Sequence, residues 1–317
     1  MRQLTLLLLL VVANLIWGGS YVVMKLALEG LTPLEVSLWR MLPAGVLAIP
    51  LLAWYLPRYR LSGRTWLTLG MLALAAFVLN KFLEVLGVQL STATNAALLL
   101  SLEPLFTIAL GVVVLGEHFS RRRGVAFLLG GVGAYLLIAR GFHWPEFSSA
   151  HVIGDLIFIL GLTFEALYTV FGKSHVRRYP ALLVTAGTLV LALGVWVPVG
   201  GVALALNGMP TFSTSALWAL AFLSLGCSLL AYWAWFYALE SMEAGVAAMT
   251  LFVQPVFGAG LAVYVLEEPV TQALITGAVL VLGALYLALA PPGLPVKLYR
   301  ILRRNSGRLW RTPESFG

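Results

Sequence analysis

Charged side chains interrupt apolar runs of this 317-residue sequence that are otherwise long enough to cross a membrane. The stretch 101-SLEPLFTIAL-110 carries Glu103 directly before Pro104, and the stretch 80-NKFLEVLG-87 carries Lys81 and Glu84. An ionisable side chain at bilayer depth costs at least about 2.5–3.5 kcal/mol, so it normally faces a cavity or an oppositely charged partner. Held inside a membrane, such side chains could bind a charged solute or carry a proton.

Glu103 is the first candidate for this chemistry. Pro104 frees the backbone carbonyl one turn earlier and bends a helix, so the pattern predicts a bent helix with a carboxylate beside the bend. Glu103 then either lines a cavity as a cation or proton site, or caps the freed backbone groups, or pairs with Lys25 or Arg40. In the first case it is a candidate both for substrate binding and for proton coupling.

Lys81, Glu84 and Glu165 are further candidates for substrate binding. Lys81 and Glu84 lie three residues apart and therefore share one face of a helix. They either form a self-neutralising structural pair or act as ligands for a zwitterionic solute. Glu165 lies deep in another apolar run and has no basic residue within one turn of its own helix. It is a second candidate for proton coupling, unless a Lys or Arg of another helix pairs with it.

Trp17 lies near the middle of the first apolar run rather than at the interfacial level where tryptophan collects. Small neighbouring glycines allow close helix approach, and the indole either lines a cavity or packs within the bundle. Tyr21, one turn later, shares its face. Arg40 either bridges helices or binds a carboxylate. Four other aromatic residues are weaker cavity candidates: Tyr168, Tyr232, Trp235 and Phe236.

The composition requires a membrane protein. Hydrophobic residues make up 61% of the chain and charged residues 10%, whereas soluble domains average about 25% charged residues. A sole cysteine, Cys227, excludes a disulfide framework and a thiolate metal site. Glycine, proline and charge clusters divide the chain into ten apolar segments, which we predict to be spanning helices. They cover residues 4–28, 34–55, 65–88, 94–115, 124–139, 153–172, 181–206, 215–239, 246–266 and 272–290.

The distribution of basic residues predicts the orientation. With the N-terminus inside, cytoplasmic segments hold sixteen of the twenty Lys and Arg residues, and outer loops hold only Arg140. Both termini are therefore predicted to be cytoplasmic. This placement explains the net charge of +7 without a nucleic-acid partner. The basic tail, residues 291–317, is predicted to lie on the inner membrane surface against anionic lipids.

The two halves of the chain resemble each other in one ungapped register. With a shift of 151 residues, matching pairs include Pro104 and Pro255, Phe106 and Phe257, Glu117 and Glu268, and Tyr135 and Tyr286. Gln254 before Pro255 then corresponds to Glu103, and keeps hydrogen-bonding capacity without the charge. The predicted units are a first repeat (1–140), an outer linker (141–152), a second repeat (153–290) and the tail. Glu117 and Glu268 end their helices, and a capping or gating role is favoured over substrate contact.

Five helices per repeat is an odd number, so the second copy enters the membrane from the opposite side. Inverted repeats with a midplane site are typical of secondary transporters that work by alternating access. The alternatives are a channel, a carrier or flippase for a lipid-linked substrate, and a membrane-embedded enzyme. The chain contains no Walker loop and no D-x-x-x-D cluster, and its histidines fall in or beside loops on opposite sides. We therefore expect no enzyme activity, no catalytic residue, no cofactor and no metal.

Several stretches resemble the EamA-type family of the drug/metabolite transporter superfamily. In the first half these are 17-WGGSYVVMKLAL-28, 39-WRMLPAG-45 and 90-LSTATNAALLLSLEPLFTIALGVVVLGEHFS-120, and in the second half 237-YALESMEAGVAAMTLFVQPVFGAGLAVYVLEEP-269 and 277-GAVLVLGALYLALA-290. The resemblance implies an all-α, ten-helix carrier of the prokaryotic inner membrane with a central cavity. It also implies transport, often export, of small metabolites such as amino acids, amines or drugs. We expect a monomer or a homodimer. The sequence departs from the family pattern at 80-NKFLEVLG-87 and at Glu165.

Overall fold

A computed structural model of the protein describes residues 2–91, 99–100, 102–118, 120–139, 152–254, 256–257, 270 and 272–289. All regular structure within these residues is helical, and none of them lies in a strand. We number the helices in chain order as α1 (Arg2–Leu28), α2 (Pro33–Tyr55), α3 (Gly63–Leu90), α4 (Glu103–Leu115), α5 (Arg121–Ala139), α6 (Val152–Val176), α7 (Ala181–Asn207), α8 (Thr214–Leu239), α9 (Ala244–Met249) and α10 (Gln272–Leu289).

Six of these helices, α1 to α3 and α6 to α8, are long and apolar enough to cross a membrane. A helix satisfies its backbone hydrogen bonds within one segment, which is what a chain in lipid requires. The predicted class, an all-α multi-pass membrane protein, is therefore confirmed. The helices α4 and α10 are apolar but shorter.

The region around Pro104 differs from the predicted bent helix. Helix α4 begins at Glu103, after a turn at Leu102, so Pro104 lies in its first turn. Proline fits there because the first backbone N–H groups of a helix have no partner within the helix. Residues 99–100 are also helical, and the turn at Leu102 directly precedes α4. The corresponding proline of the second half, Pro255, for which a helix bend is predicted in the same way, lies outside the described residues, as does Glu268.

Side-chain and glycine caps lie at the ends of several of the helices. Thr32 forms a capping box with Glu35 at the start of α2. Ser62 and Ser213 each accept a hydrogen bond from a backbone N–H three residues later, at the starts of α3 and α8. Helix α4 ends at Gly116, whose φ of 64° lies in the left-handed region that glycine adopts without strain.

The helices pack in four dominant pairs: α2 with α7, α5 with α10, α3 with α6, and α1 with α8. Glycine permits close approach in two of them. A Cβ at Gly133 of α5 would lie 2.8 Å from the carbonyl oxygen of Gly277 in α10. A Cβ at Gly87 of α3 would lie 2.9 Å from the Phe158 side chain of α6. Backbone contact of this kind is a common basis of helix association in membranes.

The connections gather at two opposite ends of the bundle. At the end that we call the Glu117 end, the side chain of Thr68 lies 2.8 Å from His175. Glu240, which follows α8, accepts a hydrogen bond from the first N–H of α7 at the same end. At the other end, which we call the Trp39 end, the ring of Trp39 contacts Phe212 at a centroid distance of 5.2 Å.

Candidate solute-binding site

A small cavity of about 40 Å³ lies in the middle of the bundle, and its wall is mostly polar side chains. It lies where α1, α2, α3, α4, α6 and α8 approach one another. The structure brings nearly all the sequence-predicted binding residues together here. Those that line the cavity are Trp17, Lys81, Glu84, Glu103, Glu165 and Gln254.

Lys81 is at the centre of the charged groups. Its Nζ lies 3.0 Å from Glu84 Oε2 on the same helix and 3.5 Å from Glu165 Oε2 on α6. It also lies 5.4 Å from the centroid of the Tyr232 ring, a cation–π distance. The Tyr232 hydroxyl donates a 2.7 Å hydrogen bond to Glu165. The predicted pair within α3 is formed, and the alternative predicted for Glu165, a lysine from another helix, is present as well.

Arg40 approaches this cluster from α2. Its Nη1 lies 3.8 Å from Glu84 Oε2, and the residue is only 2% exposed. Within the described part of the chain, its Nε and Nη1 atoms have no hydrogen-bond partner. Arg40 thus bridges α2 and α3 electrostatically. It also retains N–H groups that could donate hydrogen bonds to a bound carboxylate.

Glu103 and Gln254 form another part of the wall. Glu103 is buried, and no Lys, Arg or His of the described residues lies within ion-pair distance of it. Gln254 donates from Nε2 to Asn14 Oδ1 at 3.0 Å, whereas its own Oε1 has no partner among the described residues. The site therefore contains unused acceptors as well as unused donors.

Trp17 takes both of its predicted roles. It lines the cavity, and it packs edge-on against Tyr232 and Trp235 at centroid distances of 5.2 and 5.5 Å. Its indole N–H donates to the backbone carbonyl of Cys227 at 3.1 Å. Tyr21 belongs to α1, but its side chain lies outside the described residues.

Two π-helical stretches position the site, and the sequence analysis does not predict them. Leu74–Asn80 precedes Lys81 in α3, and Phe222–Leu230 precedes Tyr232 in α8. A π turn inserts an extra residue and rotates the side chains that follow it, a feature often found at functional sites. The apolar pattern gives no sign of these turns.

Sequence reasoning missed one buried amide, Asn14, and gave less weight to another, Asn80, which lies next to Lys81. Asn14 donates to Thr250 Oγ1 at 2.9 Å and to the Leu10 carbonyl, and so ties α1 to the chain after α9. Asn80 donates to the Gly161 carbonyl of α6 at 2.8 Å. A polar amide in an otherwise apolar run is the signal that could have identified Asn14.

The groups of the cavity define what it can hold. Three carboxylates face two cations, so the fully ionised site carries one negative charge more than positive. Burial strengthens the interaction between charges, and it raises the free-energy cost of any charge that has no partner. A proton or a cationic group would neutralise the excess. Among the described residues, no group of three or more His, Cys, Asp and Glu side chains could hold a metal ion.

A second charged cluster lies at the Glu117 end. Glu117 accepts hydrogen bonds from Lys173 Nζ at 2.7 Å, from the Ala244 N–H at 2.7 Å and from the Gly245 N–H at 2.9 Å. Lys173 also donates to the Met242 carbonyl at 2.6 Å. Burial raises the pKa of Glu117, but these donors outweigh it and lower the pKa from its ordinary value. Glu117 thus caps α9 and joins it to α4 and α6.

Comparison with other proteins places these features in a family. The sequence matches the EamA-like transporter family over residues 4–139 and again over residues 152–290. An uncharacterized transporter of Archaeoglobus fulgidus is 31% identical over 89% of this chain and 96% of its own length. The protein PecM of Dickeya dadantii is 26% identical over 86% of this chain and 88% of its own.

A solved structure shares the fold. Its TM-score is 0.71 at 18% sequence identity, and the superposition covers 94% of this chain and 98% of the other. The sequence matches cover both halves of the chain and therefore confirm the predicted family. The protein belongs to the EamA-like transporter family, and it is a multi-pass membrane protein.

Proposed function

We propose that this protein is a secondary transporter that moves a small amine-bearing or zwitterionic solute by alternating access, with export as the favoured direction. The observation that carries the proposal is the buried cavity, where Lys81, Arg40 and three carboxylates meet and several hydrogen-bonding atoms have no described partner. Arg40 has nitrogen atoms without a hydrogen-bond partner, and Glu103 has no ion-pair partner among the described residues. These two groups suit a ligand that carries a carboxylate and an ammonium group.

The packing of the helices supports an inverted repeat of five plus five helices. In such a repeat, each helix of α1–α5 corresponds to the helix five places later, so that α1 corresponds to α6 and α5 to α10. Under this correspondence the α2–α7 and α5–α10 pairs each map onto themselves, and the α1–α8 pair maps onto the α3–α6 pair. The serine caps of α3 and α8 and their π-helical stretches fall in corresponding places. Helices α3 and α8 start at opposite ends of the bundle, as inversion requires. The two separate family matches agree with this division.

Alternating access needs an end that can close. The Glu117 cluster joins α4, α6 and the start of α9, so it holds one end of the bundle together. We assign this end to the cytoplasm because the basic residues of the adjoining connections favour the inner face. Both termini are then cytoplasmic, in a prokaryotic plasma membrane.

The size of the cavity indicates a closed conformation. A volume of about 40 Å³ accommodates water-sized groups, whereas ligand pockets normally have about 300–1,000 Å³. Solute binding therefore requires the lining helices to separate. The small volume and the charged side chains of the wall favour a small solute over a lipid-linked substrate.

Counterflow in proteoliposomes tests the proposal. Vesicles containing the purified protein are loaded with a mixture of unlabelled amino acids and diluted into a trace of the same mixture carrying radiolabel. A carrier produces a transient, saturable accumulation of label. Polyamines and nucleobases, tested in parallel, are expected to give a smaller signal because they lack the carboxylate.

A matched pair of variants makes the test specific. Glu165→Gln removes a charge from the site, and Glu29→Gln removes one from an exposed position after α1. We expect counterflow to be lost in the first variant and kept in the second. Linear, non-saturating flux in the unmodified protein would indicate a channel and contradict the proposal.

A further inference from the structure

A groove with a volume of about 560 Å³ lies at the Glu117 end, on the outer surface of the bundle and apart from the central cavity. It is bounded by the end of α2, by the α6–α7 connection and by the last two turns of α8. It is about fourteen times as large as the central cavity, and it is open to its surroundings. No role in solute binding accounts for it.

Aromatic rings form two walls of this groove. On one wall Tyr59 lies between Tyr55 and Tyr179, at centroid distances of 6.1 and 6.3 Å. On the other, Trp233 and Tyr237 lie one turn apart on α8, with centroids 5.9 Å apart. Tyrosine and tryptophan collect at membrane interfaces because their rings prefer the apolar side and their polar atoms prefer the headgroup level.

The groove runs from the interface into the membrane. Helix α8 ends at Leu239, and Trp233 lies six residues before that end. At a rise of about 1.5 Å per residue, the groove therefore extends roughly 9 Å below the helix end. That depth corresponds to the distance between a lipid headgroup and the upper part of its acyl chains.

The mouth of the groove is basic. Arg177 and Arg178 line it and are both exposed, so their guanidinium groups are available to a ligand. Glu240 also lines it, but its Oε1 accepts the Ala181 N–H at 2.8 Å and so stabilises the start of α7. Guanidinium groups bind phosphate with two parallel hydrogen bonds, and basic pockets between helices on the cytoplasmic side bind anionic lipid headgroups.

From this geometry we infer that the groove binds an anionic phospholipid of the inner leaflet, with the phosphate at Arg177 and Arg178 and an acyl chain against Trp233 and Tyr237. This inference goes beyond the transport proposal and shares with it only the assignment of the Glu117 end to the cytoplasm. The charge at the mouth selects an anionic headgroup, and the depth of the aromatic walls selects an attached acyl chain over free phosphate.

Fluorescence quenching by brominated lipids tests the inference. The protein is reconstituted into phosphatidylcholine vesicles in which a fixed fraction of the lipid is brominated phosphatidylglycerol or, in a second series, brominated phosphatidylcholine. The tryptophan fluorescence that comes from the groove is the difference in emission between the unmodified protein and the Trp233→Phe variant. We expect brominated phosphatidylglycerol to quench this part with at least about fivefold higher effective affinity.

Matched arginine variants supply the control. Arg177→Gln with Arg178→Gln should abolish the preference, whereas Arg60→Gln with Arg64→Gln should keep it, because these exposed arginines lie at the same end but outside the groove. Equal quenching by both lipids, or a preference that survives in the first double variant, would overturn the inference. Loss of quenching upon addition of inorganic phosphate would show a site for free phosphate and would also overturn it.

Discussion

The central cavity and the Glu117 cluster both place a lysine against a carboxylate, but they satisfy these groups differently. Each oxygen of Glu117 accepts a hydrogen bond, and Lys173 has a carboxylate and a carbonyl as partners. In the cavity, two nitrogen atoms of Arg40 and one oxygen of Gln254 have no hydrogen-bond partner among the described residues, although Arg40 Nη1 lies 3.8 Å from Glu84 Oε2.

This difference separates a structural contact from a binding site. A fully satisfied charge pair stabilises one arrangement of the helices and offers nothing to a ligand. A buried group without a partner has a cost in free energy that a ligand or a proton can relieve. We therefore expect substitutions in the cavity to change transport more than stability, and substitutions at Glu117 to do the reverse.

The largest effect is expected for Glu165→Gln. The amide still accepts the Tyr232 hydroxyl, but it removes a buried charge next to Lys81. We expect transport to fall about 100-fold, equivalent to about 2.7 kcal/mol, with little change in unfolding temperature. Counterflow and thermal unfolding are measured on the same preparation. A drop in unfolding temperature that accounts for the lost transport would place Glu165 with Glu117 as a structural residue.

The next effect is expected for Glu117→Gln. Lys173, which is only 2% exposed, loses its counter-charge, and one of the two backbone N–H donors, those of Ala244 and Gly245, loses its carboxylate acceptor. We expect the free energy of unfolding to fall by about 1–3 kcal/mol. The control is Glu243→Gln at the same end, whose ion pair with Arg123 is more exposed and whose loss should cost at most about 1 kcal/mol. Equal losses of unfolding free energy in the two variants would show that the Glu117 cluster stabilises the fold no more than an exposed ion pair does.

A smaller effect is expected for Arg40→Gln. If the two Arg40 nitrogen atoms without a described hydrogen-bond partner bind the carboxylate of the solute, their loss should weaken the apparent affinity for amino acids about tenfold, equivalent to about 1.4 kcal/mol. Affinity for the corresponding amino-acid amides, which lack the carboxylate, should change less. A uniform loss for both ligand types would show that Arg40 only bridges helices.

The smallest effect is a pH dependence at Glu117. Its pKa in the folded protein lies below the ordinary value of 4.5, so its contribution is complete above pH 4.5 and is lost as the pH falls through the lowered pKa. The difference in unfolding free energy between the unmodified protein and Glu117→Gln should therefore be constant from pH 8 to pH 5 and shrink in more acidic solution. A difference that shrinks between pH 8 and pH 6 would require a different titrating group.

The helices, the family and most residues of the central cavity could be predicted from the sequence. Helices followed from apolar segments of spanning length, and the site residues from the cost of burying Lys81, Glu84, Glu103 and Glu165 in lipid. The family followed from short motifs distributed over both halves, and it is confirmed.

The remaining features depend on tertiary contacts. Nothing in the chain near Glu165 specifies that Lys81 of α3 reaches it, because the contact is set by how α3 and α6 pack. The π-helical stretches before Lys81 and Tyr232 follow from the same packing, since no local propensity favours a π turn. The sequence predicts a bend at Pro104, whereas the structure has a helix start there, because proline is compatible both with a kinked helix and with the first turn of a helix.

The most direct test of alternating access needs no knowledge of the solute. Ser20, which lines the cavity, is changed to cysteine in a Cys227→Ala background, and a charged membrane-impermeant maleimide is applied from either face of oriented vesicles. The control is Val46→Cys, which lies on an exposed face of α2 that lipid should cover. We predict labelling of Ser20→Cys from both faces, and of Val46→Cys from neither. Labelling of Ser20→Cys from only one face, or from neither, would contradict a central site that opens to each side in turn.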